Sequence, residues 1–574
     1  MQIIDSATVY DVCIVGSGAG GSMAAKVLTE SGANVVLLEA GAPWSNADAD
    51  MLTWNYESPR RGASTTERPF GEFDACYGGW EIPGEPYAAE DGTGWRWWRA
   101  RMVGGRTNHW GRISLRFGPD DFRGKSRDGY GDDWPIGYDD VAPYYDKVDR
   151  LVGIFGSRDG FPNEPDGLFL PPPEPRCYEK LVMKGAASMK VPVLSSRLSI
   201  LTRPHGDRPA CHYCGQCGRG CSVGANFSAG RVLLDPAMAT GNLTLVTGAM
   251  AREVLTDDEG RATGVSYVDT ASLEEQTVRA EVVILAASAC ESARLLLNSK
   301  SPRHPNGLAN SSDVVGRYLM DTVGTSMAAF FPSLASAPAH NCDGVGGMHI
   351  YIPWWLQDQH ASLGFPRGYH FETWGGRGMP GYGFMGGIQN TNGRLGDDRP
   401  RGGGGYGEAL KDDYRHLWGT TIGFSGRGEM IAREDNRCWI DPASVDRYGI
   451  PTLKFDVTWS DAELQQTRHM HDAGREILEA SGGVLFSEAP GADRDFGIQT
   501  PGEIIHEAGV VRMGDDPATS ALNGFCQAHD ADNVFVVDAA PFVSQPHKNT
   551  TWTILALSMR AAEYIVDQRR QRNV

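Results

Sequence analysis

The chain of 574 residues is too long for one ordinary hydrophobic core, so we expect at least two domains. Its 53 Lys and Arg against 72 Asp and Glu give a net charge of −19, and no basic stretch is long enough to follow a nucleic-acid backbone. We therefore expect no nucleic-acid partner. No apolar run approaches the length of a transmembrane helix, and the first residues lack a secretion signal. We expect a cytoplasmic protein, or a periplasmic one exported with a signal-bearing partner subunit.

The N-terminal residues predict a dinucleotide-binding unit. A buried strand over 9–15 leads directly into Gly16-Ser-Gly18-Ala-Gly-Gly21, followed by a helix and a second strand that ends at Glu39. In this context Gly16 allows the tight turn, Gly18 lets the backbone approach a pyrophosphate, and Gly21 lets helix and strand pack closely. The helix N-terminus favours phosphate charge, and the Glu39 carboxylate stands where it can accept hydrogen bonds from a ribose. The unit alone does not choose between NAD and FAD.

Strand patterns far along the chain indicate that the nucleotide domain is discontinuous. Residues 242–246 and 262–268 predict a small β-meander, 281–287 a buried strand that leads into a helix at 291–297, and 533–538 a final strand. A compact NAD domain would end early in the chain, whereas this spread favours a large FAD fold. Segments 328–331 and 452–457 predict strands of a sheet under the active site, and 462–479 predicts an amphipathic helix.

Motifs in a fixed order along nearly the whole chain resemble the glucose–methanol–choline (GMC) oxidoreductase family. They are the glycine turn and the segments 103–110 (VGGRTNHW), 134–145 (WPIGYDDVAPYY), 284–294 (ILAASACESAR), 506–514 (HEAGVVRMG) and 538–556. Within the family, the chain is most similar to bacterial FAD-dependent sugar (glucoside 3-) dehydrogenases and to the pyranose oxidase branch. Ser288 and Thr550 depart from the pattern, which commonly has Gly and Pro at these positions.

The resemblance implies an α/β fold in two parts. A discontinuous FAD-binding Rossmann-like domain would comprise residues 1–329, which include the cysteine-rich segment 205–225, and residues 491–574, which carry the catalytic residues. An α+β substrate domain built on a mostly antiparallel sheet would comprise residues 330–490. This region holds Trp354 and Trp355 and a glycine-rich stretch over 375–405, which predicts a lid or entry loop.

The resemblance assigns catalytic roles to His506 and Asn549. A neutral imidazole has the acidity that suits a base for a hydroxyl proton. The amide of Asn549 can hold the substrate oxygen without competing for the proton. His547 is the competing base, because it lies only two residues before Asn549.

The family pattern also implies residues around the flavin. Gly104 and Gly105 would let the backbone pass close to it, and Asn108 and His109 would lie near its edge. In the pyranose oxidase branch a similar His is bonded covalently to the flavin, so His109 leaves that alternative open. The full set of predicted cofactor-binding residues is Gly16, Gly18, Gly21, Glu39, Gly104, Gly105, Asn108, His109, Asp538, Ala539 and Thr550.

Four of the eleven cysteines are clustered in the sequence. Cys211, Cys214, Cys217 and Cys221 have the spacing C-x2-C-x2-C-x3-C, which bacterial ferredoxins use to bind iron–sulfur clusters. Ser222 follows where Pro is usual in that run. Four thiolates also suit a tetrahedral zinc site, and paired disulfides or plain thiols are a third alternative.

The resemblance implies an enzyme that oxidises a secondary alcohol on a sugar or glycoside, with the third carbon of a hexopyranoside as the expected position. Hydride would pass to FAD and the hydroxyl proton to His506. Electrons would then leave through an iron–sulfur cluster to a small subunit, a cytochrome or another acceptor. The alternatives are a sugar oxidase of the pyranose oxidase type, which uses oxygen and keeps a structural zinc or thiol cluster, and a flavin-binding protein without turnover.

Overall fold

The computed structural model describes residues 8–44, 76–215, 217–335, 337, 344–376 and 419–571. Most of the predicted glycine-rich lid lies outside the described residues. No helix among the residues described is long and apolar enough to cross a membrane.

Along the described residues, runs of strands are separated by helices. The α-helices are Ala19–Glu30, Gly124–Asp128, Tyr138–Val152, Cys177–Ser188, Asp235–Ala239, Ala289–Asn298, Pro332–Ala335, Asp461–Ala480 and Thr551–Gln571. The strands of five or more residues are Val9–Val15, Val35–Glu39, Leu243–Thr247, Ala249–Thr256, Ala262–Asp269, Glu275–Leu285, Val323–Phe330, Tyr369–Gly375, Thr421–Gly428, Arg437–Val445 and Pro451–Asp456. Shorter strands are Gly78–Gly79, Ala88–Ala89, Arg99–Ala100, Ile154–Phe155, Phe169–Leu170, Leu194–Ser195, Ile350–Ile352, Val484–Leu485 and Val534–Val536.

Seven strands form the first sheet, which carries the N-terminal unit. Val9–Val15 lies at its centre and pairs in parallel with Val35–Glu39 on one side and with Glu275–Leu285 on the other. The late strand Val534–Val536 also pairs in parallel with Glu275–Leu285. The stretches that pair in parallel, 12–15, 35–38 and 282–285, are apolar and buried because both faces of a parallel sheet are covered. The predicted discontinuous nucleotide-binding sheet is therefore confirmed.

The predicted meander is partly wrong. Leu243–Thr247 does not belong to it, because this strand extends the parallel ladder beside Val35–Glu39. The antiparallel meander consists instead of Ala249–Thr256, Ala262–Asp269 and the first half of Glu275–Leu285. A short run of alternating residues does not say which neighbour a strand pairs with, so the pattern alone could not separate the two arrangements.

The two ends of the chain meet on this sheet. The helix Ala19–Glu30 packs against the C-terminal helix Thr551–Gln571, and Ser558 Oγ donates to the carbonyl of Gly20 at 2.7 Å. A Cβ atom on Gly20 would lie 2.1 Å from the carbonyl oxygen of Val537, so only glycine allows this approach. The contact brings the start of the C-terminal helix to the glycine turn.

Six strands form the second sheet, in which every pairing is antiparallel. Its centre is Val323–Phe330, Thr421–Gly428 and Tyr369–Gly375, and the helix Asp461–Ala480 packs on it. Pro451–Asp456 is not part of this sheet, contrary to the prediction, because it pairs with Arg437–Val445 and Ala88–Ala89. Two strands of the second sheet, Leu194–Ser195 and Val323–Phe330, begin before residue 330. The predicted boundary at residue 330 therefore divides this sheet, and the division into domains stays a prediction.

Candidate active site

A cavity of about 420 Å³ lies where the carboxyl ends of the first sheet meet the second sheet. Ten predicted site residues line it: Gly16, Gly18, Glu39, Gly105, His109, His506, Asp538, Ala539, Asn549 and Thr550. Gly21, Gly104 and Asn108 lie behind the lining. Ligands of open α/β sheets bind at this edge, so the position fits a dinucleotide.

The three glycines of the turn have different surroundings. A Cβ atom on Gly16 would lie 2.3 Å from the carbonyl oxygen of Ala286, and the φ of Gly16 is +96°. On Gly21 it would lie 1.9 Å from the carbonyl oxygen of Gly16. On Gly18 it would meet no atom within 4 Å, because it would point into open space. Gly16 and Gly21 therefore permit packing, while Gly18 leaves room for a bound group.

Glu39 closes the turn from the end of the second strand. Its Oε2 accepts hydrogen bonds from the amide and hydroxyl of Ser17, and its Oε1 accepts from the amide of Gly41 at 2.8 Å. Burial raises the pKa of this carboxyl group, and the bonds from Ser17 and Gly41 oppose the rise. Oε1 accepts only one of these bonds and can accept another, so Glu39 fits the ribose of FAD.

The segment 103–110 contributes two kinds of residue. Asn108 is buried and donates to the carbonyl of Val103 at 2.8 Å, next to Gly104, so its Nδ2 supports the backbone of the segment. Its place near the flavin edge stays a prediction. His109 lines the cavity, and its Nε2 accepts a hydrogen bond from Trp98 Nε1 at 3.1 Å. A Cβ atom on Gly105 would lie 3.3 Å from Gly18 Cα, so this glycine lets the segment pass close to the turn.

His506 is held at the cavity by two buried side chains from the start of the second sheet. Its Nδ1 lies 3.0 Å from Thr322 Oγ1, which Gln545 Nε2 also approaches at 3.4 Å. Asp321 is fully buried and accepts hydrogen bonds from the amides of Gly502, Ile504 and His506. If Nδ1 donates to Thr322, the lone pair of the ring lies on Nε2.

Burial lowers the pKa of His506 to about 3, and the charge of Arg427 acts in the same direction. The imidazole is therefore neutral near pH 7, as a base must be. Burial also raises the pKa of Asp321 to about 6. The loop that carries His506 is thus held by a carboxylate that itself titrates near neutral pH.

Asn549 lies next to His506 at the start of the C-terminal helix. Its Nδ2 lies 3.4 Å from His506 Nε2 and 3.4 Å from Glu372 Oε1. Glu372 also faces Arg427, with Oε2 3.3 Å from Nη2. Burial would raise the pKa of Glu372, but Arg427 and His370 outweigh it and hold that pKa at about 2. The carboxylate is therefore ionised.

Glu372 and Arg427 were not found by the sequence interpretation. They lie on neighbouring strands of the second sheet, in a region without family motifs. Asp321 and Thr322 were missed for the same reason. Arg106 lies inside the segment 103–110 and could have been found there. Its guanidinium lines the cavity and forms an ion pair with Glu507.

Ser288 joins that ion pair. Its hydroxyl accepts from Arg106 Nη2 at 3.1 Å and donates to Glu507 Oε1 at 3.3 Å. Its φ is +87°, in the region that favours glycine, and it precedes the helix Ala289–Asn298. The departure from the family pattern thus adds a hydroxyl at the cost of backbone strain.

The last strand and the C-terminal helix complete the lining. Asp538 accepts from Ser292 Oγ and from the amide of Ala540, and burial raises its pKa to about 6. Thr550 accepts the first bond of the helix, from the amide of Ile554 at 3.0 Å. The N-terminal end of this helix therefore lies at the cavity, where its dipole favours negative charge.

His547 does not line the cavity. It is buried, and its Nδ1 lies 3.1 Å from Nδ1 of His370, behind Glu372. Of the two histidines that compete for the role of base, only His506 can reach a group in the cavity.

Cys211, Cys214, Cys217 and Cys221 form no disulfide. Burial raises the pKa of the Cys211 thiol to about 11, and the other three thiols lie close enough to add to the rise. Among the residues described, no three potential ligand side chains are arranged to hold a metal ion. The structure thus brings the four thiols into one region without forming a metal site.

Comparison with known proteins places the chain in a family. Two models, both described as GMC oxidoreductase, match residues 19–323 and 434–558. Paromamine 6'-oxidase of Streptomyces fradiae is 28% identical, over 98% of this chain and 92% of that protein. A 2-methyl-1,2-propanediol dehydrogenase of Mycolicibacterium austroafricanum is 28% identical, over 98% of both chains. The fructose dehydrogenase large subunit of Gluconobacter japonicus is 27% identical, again over 98% of both. The chain belongs to the GMC oxidoreductase family, and it is an FAD-dependent oxidoreductase.

Proposed function

We propose that the protein oxidises a secondary alcohol on a sugar or another polyol, with His506 as the base. The observation that carries the proposal is that His506 Nε2 and the Asn549 amide lie side by side in the cavity that the dinucleotide-binding turn opens. Relatives that match the whole chain support the substrate class, since two of them are named for a diol and for fructose.

The chain supplies the acid–base part of this reaction. FAD, when bound, accepts the hydride from the carbinol carbon. His506 Nε2 takes the hydroxyl proton, and Thr322 Oγ1 accepts from Nδ1–H and so keeps the ring in the required tautomer. The positive end of the C-terminal helix favours negative charge at the same cavity.

The third carbon of a hexopyranoside remains our proposed position of oxidation. It is supported by the similarity to glucoside 3-dehydrogenases, and identification of the product from a methyl glycoside tests it. A product oxidised at another carbon would refute the position without touching the role of His506.

We also propose that electrons leave through a metal centre on Cys211, Cys214, Cys217 and Cys221, with an iron–sulfur cluster favoured over zinc. The spacing supports the cluster. Burial raises the pKa of the Cys217 thiol, and the charge of Arg112 opposes this rise. The Arg112 guanidinium also donates to the carbonyl of Asn108, which lies behind the cavity lining. The four thiols would have to draw together around a metal, because they are not arranged as ligands without one.

A metal centre of this kind would deliver electrons to a second protein. The relative named as a fructose dehydrogenase large subunit supports a small subunit as partner, with a cytochrome or another acceptor beyond it. Such a partner would also provide a route to the periplasm, and a cytoplasmic location is the alternative.

A sugar panel under two acceptors tests the function. We expect anaerobic turnover with a dye acceptor and slow hydrogen peroxide formation in air. Fast peroxide formation would favour the second candidate, an oxidase, which the relative named paromamine 6'-oxidase supports. Absence of flavin reduction by every sugar and polyol would refute the proposal.

A further inference from the structure

An ion pair in the cavity wall joins the segment 103–110 to the loop of the proposed base. Arg106 donates to both carboxylate oxygens of Glu507, with Nη1 2.8 Å from Oε2 and Nη2 against Oε1. Glu507 directly follows His506 and is only 4% exposed. A two-pronged contact of this kind is the geometry of a guanidinium with an ionised carboxylate. The wall of the cavity therefore carries one positive and one negative charge in contact.

Three neutral groups also hold the Arg106 guanidinium. Its Nη2 donates to the carbonyl of Trp98 at 2.6 Å and to the hydroxyl of Ser288 at 3.1 Å, and its Nη1 donates to the carbonyl of Ile505 at 3.2 Å. An arginine stays protonated in proteins. If the Glu507 carboxylate were made neutral, the guanidinium would thus keep its charge, and these three bonds would keep its place.

The pair connects the two places that FAD must reach. Arg106 follows Gly105, where a Cβ atom would lie 3.3 Å from Gly18 Cα of the glycine turn. Glu507 follows His506, and both line the same cavity as the turn. The pyrophosphate of FAD fits the turn, whereas the ring that accepts the hydride must meet the substrate carbon beside the base. The ring of bound FAD therefore shares the cavity with both charges.

The charge of the flavin changes during the reaction. A hydride carries two electrons and one proton, so the flavin that accepts it gains negative charge. A lone cation in the cavity would stabilise the reduced flavin and raise its reduction potential, and a lone carboxylate would lower it. Arg106 and Glu507 oppose each other in this respect, because their charges are in contact.

We propose that Glu507 sets the reduction potential of the bound FAD by cancelling the charge of Arg106. Glu507 acts through Arg106 and is therefore a positioning residue. The cancellation keeps the reduced flavin a better electron donor to the next acceptor than it would be beside an unpaired Arg106. The inference goes beyond the proposed function, because it concerns the cofactor and does not depend on the substrate.

The midpoint potential of the FAD-loaded protein tests the inference. Anaerobic reduction in equilibrium with a reference dye measures this potential without substrate or turnover. In Glu507→Gln the unpaired cation should favour the reduced flavin by about 10-fold, as expected of a unit charge in a partly buried site. For a two-electron couple this is a rise of about 30 mV. An unchanged potential in a folded variant that retains FAD would overturn the inference.

A variant of opposite charge separates electrostatics from structure. Arg106→Gln leaves the carboxylate without its cation, so the potential should fall below the wild-type value. The double variant, Arg106→Gln with Glu507→Gln, lacks both charges, and its potential should return close to that of the wild type. A merely structural role would move both single variants in the same direction, or would leave the double variant furthest from the wild type. Either result would overturn the inference.

Sulfite provides a second measurement on the oxidised protein. Sulfite adds to oxidised flavin to form an anionic adduct, and the absorbance at about 450 nm is lost. Glu507→Gln should bind sulfite about 10-fold more tightly than the wild type, because the unpaired Arg106 stabilises the anionic adduct. A wild-type sulfite affinity in this variant would contradict the assignment to charge.

Glu429→Gln is the matched control. Glu429 forms a 2.7 Å ion pair with Arg367 on buried side chains outside the cavity lining. This variant should keep the wild-type potential and sulfite affinity, and a shift as large as that of Glu507→Gln would overturn the inference. Flavin absorbance and the melting temperature report whether each variant is folded. If Glu507→Gln does not fold, Arg106→Gln decides, since a potential that does not fall there overturns the inference.

Discussion

The proposed catalytic pair, His506 and Asn549, differs from the cysteine run in how far the folded protein alone arranges its side chains. His506 and Asn549 are far from Asp321, Thr322 and Glu372 in sequence, yet hydrogen bonds to these three side chains hold them in one geometry. The four cysteines are close in sequence, and the part of the chain that the structure describes gathers them without an arrangement that holds a metal. The proposed acid–base site is preorganised in the protein alone, whereas the proposed metal site would be completed by its metal.

The largest expected effect is on turnover, when the proposed base His506 is removed. His506→Ala should lower kcat by about 10²–10⁴-fold, the range for a lost general base. FAD occupancy should not change, because His506 makes no bond to the glycine turn. Steady-state turnover with a dye acceptor, alongside the flavin-to-protein ratio, measures both. Wild-type activity in His506→Ala would show that the base is elsewhere.

Asp321→Asn breaks the support behind His506. One oxygen becomes an NH2 group, so at least one of the amides of Gly502, Ile504 and His506 loses its acceptor. A displaced base should lower kcat by about 10²-fold with little change in FAD binding. An unchanged kcat would mean that the loop holds its position without Asp321.

The dependence of kcat/KM on pH distinguishes the titration of Asp321 from that of His506. Catalysis needs Asp321 ionised and His506 neutral, and falling pH removes both conditions. With pKa values of about 6 for Asp321 and about 3 for His506, wild-type kcat/KM should be constant at alkaline pH and fall as the pH drops through about 6. In Asp321→Asn the fall near 6 should disappear. An identical acid limb in the variant would contradict the assignment.

Cys214→Ser tests the proposed metal centre on the four clustered cysteines. Metal content of anaerobically purified protein should fall to background, and transfer to a large dye should slow. Reduction of the flavin by substrate should stay nearly unchanged, because none of the four cysteines lines the cavity. Zinc in place of iron, or empty thiols in every wild-type preparation, would end the electron-transfer proposal and leave the catalytic pair untouched.

The smallest effect is expected at Ser288. Ser288→Ala loses the hydroxyl between Arg106 and Glu507 but keeps the strained backbone, whereas Ser288→Gly loses the hydroxyl and relieves the strain. Ser288→Gly should therefore be more stable than Ser288→Ala by about 1–3 kcal/mol, the cost of holding a non-glycine residue at positive φ with an extended ψ. Denaturant unfolding of both variants measures this difference, and equal stabilities would show that the backbone carries no strain.

The sequence predicted the parts of the molecule that local patterns encode. The strand–glycine–helix unit, the late parallel strand and the antiparallel second sheet are present as expected. It could not predict Glu372 and Arg427, because strand alternation marks which residues face inwards but not which partner they meet across the sheet. The pairing of Leu243–Thr247 was missed for the same reason. The bond from Asn108 to the carbonyl of Val103 could not be predicted either, because it is a property of the folded turn.

Anaerobic mixing of the FAD-loaded enzyme with a sugar or polyol tests the central claim most directly, since loss of absorbance at about 450 nm follows flavin reduction without any acceptor. The account predicts rapid reduction in the wild type and in His547→Ala, because His547 lies behind the cavity lining. It predicts reduction slowed by about 10²–10⁴-fold in His506→Ala. Rapid reduction in His506→Ala together with its loss in His547→Ala would contradict the account.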